Sequence, residues 1–132
     1  HSLLLIYQLQ TLFLELVYGL MASAYKNIVT IVGATGDVTA YTCPAATVAL
    51  VKNINMYNSH TGAVVVYSKI TDSSASVTVI LQKVTMATLA SSSATADVSF
   101  TGPFVLESGD TLIFNCDVAS KIQVFANVLE LS

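Results

Sequence analysis

At 132 residues, 54% of them apolar and only 10% charged, the chain is long enough for one domain with a core and too short for a core plus an elaborate active site. That composition excludes disorder and supplies more apolar surface than a solitary monomer needs to bury, which implies partners. Net charge is −3 and the five cations are all lysines set singly (Lys26, Lys52, Lys69, Lys83, Lys121), so there is no clustered basic face and no arginine for tracking or reading nucleic acid.

Residues 1–20 differ from everything after them. The run from Leu3 to Tyr18 is leucine-rich, contains no Gly or Pro and reads as a helix, with Gln8, Thr11 and Glu15 at helical spacing on one face. Those polar positions describe a one-sided apolar helix better than a clean membrane span. No basic residue precedes the run and no small-x-small site closes it, so the signal-peptide pattern is incomplete. Met21 and the residues after it look like a translation start leading straight into a strand. Residues 1–20 are therefore expected to be upstream reading frame or inessential, and residues 21–132 to form the domain. The alternatives are a packing or oligomerising helix and a membrane or filament anchor; only a genuine anchor gives the chain a membrane partner.

The first strand, Ile28 to Val32, leads into Gly33-Ala-Thr-Gly36, which looks like the opening of a dinucleotide fold and departs from it at once. Thr39 stands where a third glycine is needed, Val38 to Cys43 continues as an extended run ending at Pro44, and no acidic residue lies between Asp37 and Asp72 to hold a ribose. A hairpin turning on residues 34–37 is the plainer reading. Beyond it, short runs rich in Val, Ile and Thr recur between Gly, Ser, Asp, Asn and Pro, the pattern of an antiparallel β-sandwich, jelly-roll or immunoglobulin-like, with seven to nine strands. The runs are Val48 to Tyr57, Ala63 to Thr71, Val77 to Met86, Asp97 to Thr101, Pro103 to Leu106, Thr111 to Cys116 and Lys121 to Leu131. Residues 58–62, 72–76 and 107–110 are the turns, and residues 90–96, rich in Ser and Ala, are a loop.

Alternation assigns faces. In the third run Leu50, Lys52, Ile54 and Met56 share the expected core face, with Lys52 near an edge, and Val51, Asn53, Asn55 and Tyr57 share the other. In the last run Ile122, Val124, Ala126 and Val128 point one way. Gln123, Phe125, Asn127 and Leu129 point the other way and mix amides with large apolar groups, as subunit contacts do. These four are the candidate interface residues. A two-layer sandwich has one inside, so the second apolar face calls for a self-associating partner, with a trimer as the guess.

No catalytic or cofactor site is expected. His60 lies in a polar turn, no Gly-x-Ser-x-Gly elbow is present, and Asp72, Asp97, Asp110 and Asp117 flank turns where capping explains them. Calcium would need two such loops to converge, and no Asp-x-Asp-x-Asp loop occurs. Cys43 and Cys116 are too few for a disulfide scaffold or a zinc motif. They read as buried thiols in strands, or as one bridge if their Cα atoms come within about 7 Å.

Tyr41-Thr-Cys-Pro44, the strand continuing to Asn58, Ala63 to Tyr67 and Leu106-Glu-Ser-Gly-Asp-Thr-Leu112 resemble small β-sandwich virion proteins of tailed bacteriophages, including those of cyanophages. The likeness covers residues 25–131. It implies a structural protein of the virion in a head decoration, neck, tail or fibre role, bound to other virion proteins, with no catalytic residues and no small-molecule substrate. Two further classes compete with it. One is a pilin-like or adhesive subunit with residues 3–20 as its stalk. The other is a carbohydrate-binding module, in which Tyr25, Tyr41, Tyr57 and Tyr67 would have to make the stacking platform.

Overall fold

The computed structural model describes residues 2–10, 22–87 and 97–132, with backbone alone for 97–101. Residues 2–10 are helical and exposed, in accord with the helix expected there; the rest of that run, and the loop expected at residues 90–96, lie outside the described residues. The described body contains eight strands: β1 (Ser23–Ile31), β2 (Gly36–Thr42), β3 (Val48–Asn58), β4 (Val64–Asp72), β5 (Val77–Met86), β6 (Asp97–Leu106), β7 (Thr111–Cys116) and β8 (Ile122–Leu131). They form two four-stranded antiparallel sheets, ordered β1-β8-β3-β6 and β2-β7-β4-β5. The pairs β1/β8, β2/β7, β3/β6 and β4/β5 are nested. The chain thus behaves as one long hairpin, rolled until β3 also meets β8 and β4 meets β7. That is a jelly roll, so of the two expected sandwich types the immunoglobulin-like one falls away.

The expected first hairpin is corrected. β1 and β2 lie in different sheets, and residues 33–36 arch from one layer to the other. The end of β1 is tied to the β7–β8 connection instead: Val32 N donates to Ile122 O at 2.9 Å and Ser120 N to Val32 O at 2.8 Å. Glycine and aspartate chemistry suits a change of direction of either kind, so it cannot distinguish an arch from a hairpin. The β4–β5 turn is a true hairpin. Asp72 Oδ1 caps it, accepting from Ser74 N (3.0 Å), Ser74 Oγ (2.7 Å) and Ala75 N (3.2 Å). The two runs expected on either side of Gly102 are one strand, β6.

The core lies between the sheets, with Phe114, Ile54, Met56, Leu106, Leu112 and Ile122 among its fully buried side chains. Bulges in β2, β3 and β5 set which residues reach it. At Lys52 the register of β3 slips by one residue against β8. Ala49 and Val51 therefore face inward before the bulge and Ile54, Met56 and Asn58 after it, while Leu50 is half-buried on the outer side and Lys52 is exposed. The expectation that Leu50 and Lys52 share the core face with Ile54 and Met56 fails for that reason. At Ala40 a second bulge turns Tyr41 inward from β2 toward Glu130 on β8.

Polar groups buried at the two ends of the sandwich are paired. Asn58 is fully buried; its Nδ2 donates to the carbonyls of Gly62, Met86 and Ala87 (3.1, 3.3 and 3.0 Å) and its Oδ1 accepts from His60 N at 2.9 Å. At the other end the Asp110 carboxylate accepts from Ser73 N and Glu107 N, each at 2.9 Å, joining the β4–β5 and β6–β7 turns.

Candidate interaction surface

The register places the outward residues of the first sheet in rows that cross β1, β8 and β3. Tyr25, Leu129 and Leu50 form one row; Asn27, Asn127 and Asn53 the next; Val29, Phe125 and Asn55 a third; and Ile31, Gln123 and Tyr57 a fourth. Across these three strands the outward positions hold no acidic residue, and the single cation is Lys52 at the bulge, whose Nζ lies 5.5 Å from the centre of the Tyr25 ring. Tyr25 is 76% exposed, Val29 74%, Ile31 56% and Phe125 40%. A groove of about 620 Å³ runs over this face, with Val29, Ile31, Asn55, Tyr57, Gln123 and Phe125 among its walls.

Gln123 and Phe125, exposed, and Asn127 and Leu129, half-buried, therefore sit together on one continuous outer face. Ile122, Val124, Ala126 and Val128 are buried on the inner side, as alternation requires. The last strand alone did not reveal that β1 extends this face with Tyr25, Val29 and Ile31. A signal was available in the odd-numbered apolar positions of residues 25–31. Asn127 also carries a buried Oδ1 with no hydrogen-bond partner among the described residues.

The opposite sheet has a different outer surface. Asp37, Asn115, Tyr67 and Lys83 make a charged row across β2, β7, β4 and β5. Lys69 Nζ pairs with Asp37 Oδ1 at 2.9 Å, and Asn115 Nδ2 donates to the same oxygen at 2.7 Å. The Asn115 hydrogen bond, then Lys69, hold the Asp37 carboxyl below its ordinary value. Tyr67 lies between two ammonium groups, with Lys69 Nζ 5.7 Å and Lys83 Nζ 5.4 Å from its ring centre.

The other candidate groups are spread across the fold. Tyr25 and Tyr57 lie in different rows of the first sheet, Tyr67 is on the far side of the second, and Tyr41 is bonded to Glu130 between the sheets, so the four make no common platform. Asp72 and Asp110 cap turns, and Asp117 Oδ1 accepts from Val65 N at 3.0 Å. Among the described residues, no group of three or more His, Cys, Asp and Glu could hold a metal ion. Cys43 and Cys116 are both buried and both free, with Cys43 Sγ donating to Thr47 O and Cys116 Sγ to Val118 O, each at 3.3 Å. Burial pushes both thiols up from their ordinary value. No helix among the described residues is long and apolar enough to cross a membrane.

No family model and no curated protein matches this sequence. Solved structures do. A chain from the capsid of a Helicobacter pylori bacteriophage is similar over 84% of this chain and 88% of its own, with a TM-score of 0.53 and 13% identity. A chain of the disulfide-linked pili formed by Bacillus endospore appendages is similar over 83% and 86%, with a TM-score of 0.48 and 13% identity. A pentameric capsid protein from metagenomic phage sequences is similar over 77% and 60%, with a TM-score of 0.41 and 18% identity. At these identities the likeness is one of fold: a small antiparallel β-sandwich of the kind also found in a phage capsid.

Proposed function

We propose that the chain is a non-enzymatic structural protein of a virion, a head decoration, neck, tail or fibre component of a tailed bacteriophage. It acts by packing the outer face of the β1-β8-β3-β6 sheet against copies of itself or other virion proteins. The observation that carries this reading is the contrast between the two outer faces, one charged and self-paired, the other apolar and amide-bearing across three adjacent strands. An exposed apolar face rimmed by polar groups marks a protein contact. The amide row of Asn27, Asn127 and Asn53 offers donors and acceptors to a partner without the cost of desolvating an ion. The fold shared with a phage capsid chain supports the virion setting. Gln123, Phe125, Asn127 and Leu129 lie at the centre of this contact, and a closed ring, a trimer, is the expected form. Analytical ultracentrifugation tests it: the wild type sediments as an oligomer, and Phe125→Ser combined with Leu129→Ser sediments as a monomer with unchanged circular dichroism. A wild type that stays monomeric at high concentration, with solubility unaffected by the two substitutions, rules out self-association through this face.

A further inference from the structure

We infer that the free edge of β5 is a second self-association site, at which residues 77–80 of two copies pair antiparallel across a two-fold axis. The two sheets have four edge strands, and three of them carry features that discourage pairing. β1 has Lys26, β2 has Asp37 and the bulge at Ala40, and β6 has Pro103, which has no N–H to offer. β5 carries Lys83 and a bulge of its own at Leu81, but its first four residues precede both. Those residues, 77–80, read Val-Thr-Val-Ile, β-branched throughout and without charge, a composition that favours strand pairing. Val77 is 49% exposed, Val79 52% and Ile80 58%, so the segment is open on both faces. Among the described residues β5 pairs only with β4, which leaves its other row of backbone groups without a strand.

A second copy fits this edge for two reasons. Pairing centred on Val79 sets Val79 opposite Val79 and Thr78 opposite Ile80, short of the bulge at Leu81, so these cross-strand contacts join β-branched side chains. Beyond the bulge, Lys83 of each copy comes toward the turn at residues 73–76 of the other. That turn is capped by the Asp72 carboxylate, which its hydrogen bonds to Ser74 and Ala75 keep ionised. The two-fold makes this complementary pair twice. A strand pair this short is smaller than a stable isolated dimer requires, so the contact is weak alone and adds to others in an assembly. It does not rest on the outer face of the other sheet.

Disulfide trapping in the full chain is suited to so weak a contact, because Cys43 and Cys116 are buried and leave an introduced thiol as the reactive one. Val79→Cys is expected to form covalent dimers under mild oxidation at least tenfold faster than Thr39→Cys, an exposed position on the edge strand β2. Adding Lys83→Glu should slow trapping several-fold by setting like charges against each other. Adding Asp72→Asn, which keeps a side-chain cap for the turn, should recover part of the rate. Trapping at Val79 no faster than at Thr39, or unaffected by Lys83→Glu, overturns the inference. Val79→Cys placed in the Phe125→Ser, Leu129→Ser background separates the two contacts: trapping persists there even if the larger oligomer is lost.

Discussion

Glu130 shows how a single residue ties the two layers together. It is a carboxylate buried on the inner side of β8, and it survives there because Lys26 Nζ lies 2.9 Å from Oε1 while the Tyr41 hydroxyl donates to Oε2 from the opposite sheet. Lys26 first and Tyr41 second hold the Glu130 carboxyl below its ordinary value. A carboxyl whose folded pKa is depressed contributes stability that is present above its unfolded pKa and lost as pH falls through the folded one. The stability difference between wild type and Glu130→Gln should therefore be constant from neutral pH to about pH 5 and shrink below about pH 4. The Tyr41 phenol moves the other way, raised by burial and then by Glu130, so its contribution is complete below about pH 10 and is lost as pH rises beyond that. Tyr41→Phe removes a hydrogen bond to an ionised group and should cost about 1.5–3 kcal/mol at neutral pH, read by urea unfolding. A loss under about 0.5 kcal/mol would mean that Lys26 alone satisfies the carboxylate.

Strand positions were legible in the sequence because apolar alternation is a local signal; β5, β7 and β8 lie within one residue of where the pattern puts them. Pairing was not. Residues 34–37 have the composition of a hairpin turn, yet β1 finds β8 about a hundred residues away, and no local chemistry announces that partner. The bulges were hidden for a related reason: one extra residue at Ala40 or Lys52 leaves the composition unchanged while exchanging the faces of the residues beyond it. The candidate interface was half legible. The period-two pattern of β8 identifies Phe125 and Leu129, but the contributions of β1 appear only once β1 is known to lie beside it. Gly102 supports the irregular stretch opposite Lys52: a Cβ there would come 2.5 Å from Val51 O and 2.6 Å from Phe104 N, both backbone atoms unable to yield without shifting the strands. Gly102→Ala should destabilise the fold by about 1–3 kcal/mol in chemical denaturation, as overpacking of a close-packed site does. An unchanged midpoint would show that the β3–β6 edge relaxes freely.

At the scale of the whole molecule, the described strands close on themselves between Ala22 and Ser132. β1 and β8 run side by side from Ser23 opposite Leu131 to Ile31 opposite Gln123, and the ladder ends in a reciprocal pair, Ala22 N to Ser132 O at 2.8 Å and Ser132 N to Ala22 O at 2.9 Å. Among the described residues, every buried apolar side chain of the core belongs to the body beginning at Ile28. The helical residues 2–10 are exposed throughout and display Leu3, Leu4, Leu5, Ile6 and Leu9 to solvent, an apolar surface that favours aggregation. A protein beginning at Met21 is therefore expected to fold with the β-rich circular dichroism spectrum and cooperative unfolding of the full chain, and to stay soluble at higher concentration. Loss of the β signal on truncation, restored by adding back residues 1–20, would instead make that segment part of the core. A truncated protein that folds but no longer assembles would assign the helix to the contacts between copies.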